Sequence, residues 1–257
     1  REPSNEDANK LTLDDSWYEA LDQSTPSTDN EPPPLSTIRQ DSESTHGEAL
    51  KIGTSRPWFT FAMDRLLEKG NAPGIFHKCQ EMTNQGITPD KETYAYFFKA
   101  CKLTGQFQRA YRGLEEMLQQ GIPANLSHFH LVMSIAMLRR HSYGCQKVYD
   151  LMQNYRVQPS TLTYQYLIGS LCLEGQVELA YRLWGIIRNS EFEPTETTTE
   201  LLVNALATAR AVQESFGVLL ECEERNLSVK ASTYMHLFRA ATEVGHIDAT
   251  LHTWKKA

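Results

Sequence analysis

Long apolar runs are missing from this chain, and so are paired cysteines. No stretch approaches the roughly 20 apolar residues that a membrane-crossing helix needs, so the sequence carries no membrane span. The five cysteines, Cys79, Cys101, Cys145, Cys172 and Cys222, are dispersed and never form CxxC. Their spacing offers no zinc site, and their odd number argues for reduced, buried thiols rather than disulfides. A Gly-rich phosphate loop, HExxH and the CxxC-bearing deaminase signature are also absent. The sequence therefore names no catalytic residue, cofactor, metal or small-molecule substrate. This segment is expected not to be an enzyme, and a catalytic domain outside it stays open as an alternative. His141 and Cys145 sit four apart in HSYGC, but no second pair completes a site, and both read as structural. The first residue is Arg1 rather than Met, and no signal peptide opens the chain; the expectation is a chain cut or processed from something longer.

Charge of one sign is scarce except at the start. The 257 residues carry a net charge of -7. Residues 1–55 hold 12 Asp/Glu against 4 Lys/Arg, and the remainder holds 20 against 21. The acidity thus belongs to a head segment, and the rest is near neutral, which neither invites nor excludes nucleic acid. The head is poor in aliphatics and rich in Ser, Thr, Asp, Glu and Pro, including EPPPLST. It buries too little apolar area to offset its ordering entropy and reads as disordered. One island interrupts it: LTLDDSWYEALDQ, residues 11–23. With Asp14 or Asp15 as a cap, Leu13, Trp17 and Leu21 share one helical face, a pattern that fits either a partner-docking motif or a stray apolar cluster.

What the chain has is a period. In frames of 35 residues starting at Arg56, Lys91, Leu126, Thr161, Glu196 and Ala231, the fourth residue is Phe59, Tyr94, Phe129, Tyr164, Thr199 and Tyr234. The eighth is Met63, Phe98, Met133, Ile168, Val203 and Phe238, and the fifteenth is Gly70, Gly105, Arg140, Gly175, Arg210 and Gly245. No insertion is needed, and self-similarity at such a period signals a solenoid. Each unit reads as two helices. Tyr94, Phe97, Phe98 and Cys101 recur at helical spacing on a first face, Gly at the fifteenth place stops that helix, and Ala110, Leu114, Met117 and Leu118 line the second. Pro89, Pro159 and Pro194 close their units. One such hairpin cannot bury its apolar face alone, whereas stacked neighbours can.

These residues resemble the pentatricopeptide repeat family. TPDKETYAYFFKACKLTGQFQRAYRGLEEMLQQGI, Thr88 to Ile122, looks like its P-type motif, with Met82, Met117 and Met152 where that motif usually has Met. A tetratricopeptide array fits less well, having a 34-residue period and a W-x2-L-G signature. The resemblance implies an all-α, right-handed superhelical solenoid over 56–257. Its repeats are 56–90, 91–125, 126–160, 161–195, 196–230 and a partial 231–257, an array expected to continue beyond the chain.

For function, the resemblance implies single-stranded RNA read one base per repeat. It places the base readers at the fifth and last residue of each frame: Thr60 with Asp90, Ala95 with Asn125, His130 with Ser160, Gln165 with Thr195, and Glu200 with Lys230. Thr60 with Asp90 looks like a purine pair favouring guanine, and Ala95 with Asn125 one favouring adenine. The family's base-sandwiching second column holds only one aliphatic here, Leu162, and its Lys-bearing thirteenth column has no Lys, which weakens phosphate attraction on that face. Arg112, Lys147 and Arg182 repeat at 35-residue intervals, either as a phosphate stripe or as ordinary solvated surface. Two functions follow. One is an adaptor in the mitochondrion or chloroplast, acting in RNA stability, processing or translation. The other is a scaffold that binds protein partners within a larger ribonucleoprotein or transcription/translation assembly.

Overall fold

The computed structural model describes residues 55–188 and 194–256. The acidic head, with Leu13, Trp17 and Leu21, lies outside the described residues but for Ser55. Among the described residues the chain forms twelve α-helices: α1 (Arg56–Glu68), α2 (Ala72–Asn84), α3 (Lys91–Thr104), α4 (Phe107–Gln119), α5 (Leu126–Leu138) and α6 (Ser142–Asn154), then α7 (Thr161–Glu174), α8 (Val177–Ile187), α9 (Glu196–Thr208), α10 (Val212–Glu224), α11 (Ala231–Val244) and α12 (Ile247–Lys256). The odd-numbered helices begin at the first residue of each 35-residue frame, so the period in the sequence is the period of the backbone.

Local chemistry sets these boundaries. Asp90 precedes α3, and its Oδ1 accepts from the Thr93 N–H at 2.9 Å, capping one of the orphan donors of the first turn. Asn125 and Thr195 cap α5 and α9 in the same way. Gly105, Gly175 and Gly245 end α3, α7 and α11 in the left-handed conformation. Arg140 and Arg210 hold that conformation at the same column, with φ of 54° and 62°.

The chain divides into two compact units. One contains α1–α5 and residues 144–158, and the other contains residues 140–143 and α7–α12. In the first, an aromatic cluster fills the core. Phe97 packs edge-on against Phe76 (5.6 Å) and Phe98 (5.8 Å), and Phe98 lies edge-on to His128 and tilted against Tyr94. The Arg109 guanidinium lies 3.8 Å from the centre of the Phe76 ring, a cation–π contact that lets the arginine stem cover apolar surface. Gly113, rather than Leu118, fills the core position on α4, since Phe97 lies directly over it; Leu118 is only half-buried. In the second unit Trp184 is buried and donates its indole N–H to Glu221 Oε2 at 3.2 Å. Glu223 accepts from the Tyr234 hydroxyl (2.8 Å) and faces His252 Nε2 (3.0 Å). Burial opposes the Glu223 carboxylate, but His252, Tyr234 and Lys256 outweigh it and hold its pKa below the usual value.

Candidate nucleic-acid interface

Within each unit the first helices of successive frames pack side by side, α1 on α3 and α3 on α5, and α7 on α9 and α9 on α11. The fifth residue of a frame lies one turn into its first helix. The last residue of that frame is the N-cap of the next first helix. Thirty residues of chain separate the two, and in two frames of the second unit the side-by-side packing brings them together.

The second unit shows this directly. Thr195 Oγ1 donates to Gln165 Oε1 at 3.2 Å while accepting from the Thr198 N–H. Glu200 and Lys230 bind each other twice: Lys230 Nζ lies 2.6 Å from Glu200 Oε2, and the Lys230 N–H donates to Glu200 Oε1 at 3.1 Å. A small recess under the Gln165–Thr195 pair is lined by Tyr164, Ile168, Trp184 and Pro194.

In the first unit Thr60 is half-exposed, and its hydroxyl donates to the Pro57 carbonyl at 2.9 Å. Asp90 uses Oδ1 for its cap, and Oδ2 lies 3.8 Å from Arg56 Nε. Burial works against the Asp90 carboxylate. The Thr93 hydrogen bonds and Arg56 overcome that and hold its pKa below the usual range, so it is an acceptor at neutral pH. Ala95 is half-buried, and Asn125 is exposed while capping α5. His130 is half-buried, and burial pushes its pKa down. It belongs to the first unit and Ser160 to the second, where the Ser160 N–H donates to Thr163 Oγ1 at 3.1 Å.

In the remaining columns, Leu162 is 38% exposed at the start of α7, where a stacking aliphatic would stand. Leu103 and Leu138 in the thirteenth column are exposed, and no cation replaces them there. Arg112, Lys147 and Arg182 are all exposed, and they lie on the second helices α4, α6 and α8, away from the reader columns on the first helices. Cys145 is buried, and its thiol donates to the Met133 carbonyl at 3.4 Å, a structural role. Among the described residues no group of three His, Cys, Asp or Glu is placed to hold a metal.

Sequence reasoning missed the sixth column. Phe61 is exposed with Arg65 over its ring at 5.5 Å. Tyr96 carries Lys99 at 5.3 Å and donates to Asp64 Oδ1 at 3.2 Å. These rings stand one residue after the fifth column, and each carries a cation over one face. The signal was present as Phe61, Tyr96, Leu131, Tyr166 and Leu201 at 35-residue spacing. The charge divides as well: residues 55–158 carry 13 Lys/Arg and 8 Asp/Glu, and residues 159–257 carry 8 and 12.

Comparison with known proteins gives a consistent picture. A family model described as "Pentatricopeptide repeat-containing protein" matches residues 145–257, and one described as "Pentatricopeptide repeat domain" matches residues 78–137 and 114–173. The chain is 25% identical over 189 residues to the mitochondrial 15S rRNA processing factor CCM1 of Yarrowia lipolytica, covering 70% of this chain and 24% of that protein. It is 26% identical to the chloroplastic pentatricopeptide repeat-containing protein At3g09650 of Arabidopsis thaliana, covering 57% of this chain and 19% of that one. The crystal structure of the pentatricopeptide repeat protein PPR10 from maize superposes with a TM-score of 0.69 at 16% identity, covering 80% of this chain and 30% of that one. PPR10 has also been crystallised in complex with an 18-nt psaJ RNA element. The chain thus spans less than a third of the length of each of these proteins.

Proposed function

The chain belongs to the pentatricopeptide repeat family, and from that premise we propose that it binds single-stranded RNA as an organellar adaptor acting in RNA stability, processing or translation. The mitochondrial and chloroplastic names of its relatives support the organellar setting. The rRNA-processing name of CCM1 and the RNA complex of PPR10 support the ligand class. The observation that carries the reading is the meeting of fifth and last columns across neighbouring first helices, seen at Gln165–Thr195 and Glu200–Lys230. By the same frame spacing, we take Thr60 with Asp90 and Ala95 with Asn125 as the reading pairs. An ionised Asp90, with Oδ1 held in its cap, would accept from the donors of a guanine edge through Oδ2. Asn125, with one acceptor and one donor group, matches adenine. We assign the repeats a binding role, with positioning of RNA for other factors as its outcome.

The test is equilibrium binding of a labelled random single-stranded RNA pool to the full chain, against duplex RNA of the same length. Preference for the single-stranded pool that survives near-physiological salt supports the reading. Equal binding to both forms that disappears with added salt leaves only counterion release and refutes it.

A further inference from the structure

The reader columns are not equally available, and the difference follows from bonds within the chain. At the first frame, Asp90 Oδ2 makes no close ion pair: Arg56 Nε stands 3.8 Å away. At the fifth frame, both carboxylate oxygens of Glu200 are engaged by Lys230, through the ammonium at 2.6 Å and the backbone N–H at 3.1 Å. The Glu200 side chain is only 12% exposed, so its charge is held in place rather than waving in solvent. Lys230 gives α11 no side-chain cap, and Glu200 reaches over from α9 to bind the cap residue's own N–H. The pair is therefore part of how the two helices are joined.

A base edge can enter this frame only by displacing Lys230. Doing so would leave the Glu200 carboxylate unpaired beside a phosphate chain. Neither residue offers a stacking surface in exchange, and the second-column residues flanking the frame are Thr197 and Ser232. Residues 159–257 add a longer-range penalty, carrying 12 Asp/Glu against 8 Lys/Arg. Residues 55–158 have the opposite balance and hold the aromatic–cation pairs Phe61–Arg65 and Tyr96–Lys99.

We propose that the Glu200–Lys230 ion pair closes the fifth frame to single-stranded RNA, and that base reading is carried by α1 and α3 and excluded from α9 and α11. This rests on the RNA-binding reading above. It makes Glu200 a residue that limits the footprint rather than one that reads a base.

The experiment is amide hydrogen exchange of the full chain with and without a random single-stranded RNA pool, together with binding of the same pool to Glu200→Gln. That variant keeps an acceptor for the Lys230 N–H, removes one negative charge and releases the lysine ammonium. The expected result is RNA-dependent protection in α1 and α3 and none in α9 or α11. Glu200→Gln should bind about two- to fivefold more tightly at low salt, with protection now reaching α9 and α11. Misfolding cannot mimic a gain of affinity. Protection of α9 and α11 in the unaltered chain overturns the proposal, as does weakened or unchanged binding by Glu200→Gln. Absence of RNA binding altogether refutes the underlying RNA reading instead, so the two failures are told apart.

Discussion

Trp184 and Glu221 lie 37 residues apart in the chain, and a 3.2 Å hydrogen bond from the indole N–H to Oε2 ties the second helix of one frame to the second helix of the next. Arg188 and Arg225 meet the same carboxylate at 3.8 and 3.0 Å, so Glu221 is shared among three donors. Stacked hairpins of a solenoid are held by such nearest-neighbour terms.

Trp184→Phe should therefore destabilise mainly by the volume it leaves unfilled, because the arginines still serve Glu221. The expected loss is about 1–3 kcal/mol, read from denaturant unfolding of the full chain. A loss near zero would mean the indole is not buried as described.

His128 predicts a pH dependence. It is 3% exposed, its Nδ1 accepts from the Asn125 N–H at 3.1 Å, and its Nε2 lies 2.9 Å from the Lys91 carbonyl. Burial lowers its pKa below the ordinary 6.5, and the Lys91 carbonyl only partly offsets that. The folded chain thus keeps His128 neutral where the unfolded chain would protonate. Its stabilising share is complete above about pH 6.5 and is lost as pH falls below that. Other frames have Thr93, Thr163, Thr198 and Thr233 in this column, and Thr163 Oγ1 accepts the equivalent N–H. His128→Thr should flatten part of the fall in Tm between about pH 7 and 5, leaving the contribution of His130, whose pKa burial also lowers. An unchanged slope would contradict the assignment.

Two glycines inside helices make opposite predictions. A Cβ on Gly113 would lie 2.7 Å from Phe97 Cε1, in a ring cluster with no room to move. Gly113→Ala should cost about 1–3 kcal/mol through overpacking. Gly217 is exposed, with nothing within 4 Å of that position. Gly217→Ala should stabilise by up to about 1 kcal/mol, since alanine is the better helix former. Urea midpoints of the two variants should move in opposite directions.

The helix starts were legible from the period, since every odd-numbered helix begins at a frame start, but the capping role of Asp90, Asn125 and Thr195 was not read. Glycine at the fifteenth column was legible too, but Arg140 and Arg210 were not. Stacking imposes the left-handed backbone on them against their own preference. A second left-handed column, Gly86, Gly121, Arg156 and Asn226, went unread because only two of its members are glycine. In the second unit, the fifth and last columns named two pairs that bond, Gln165 with Thr195 and Glu200 with Lys230. The closed state of Glu200 with Lys230 depends on side-chain rotamers and on helix-to-helix distance, and no periodic pattern encodes either. The Phe61 and Tyr96 column was visible but lay between the columns that define the core.

The central claim is that Asp90 reads a base through its acceptor carboxylate. Asp90→Asn tests it cleanly, because Asn caps a helix as well as Asp and the fold should be unaffected. Selection from a random single-stranded RNA pool, run in parallel on the full chain and on Asp90→Asn, gives the answer. The account predicts one enriched position that changes from guanine to adenine, with the rest of the motif unchanged. Identical motifs from both proteins, or no motif from either, would contradict it.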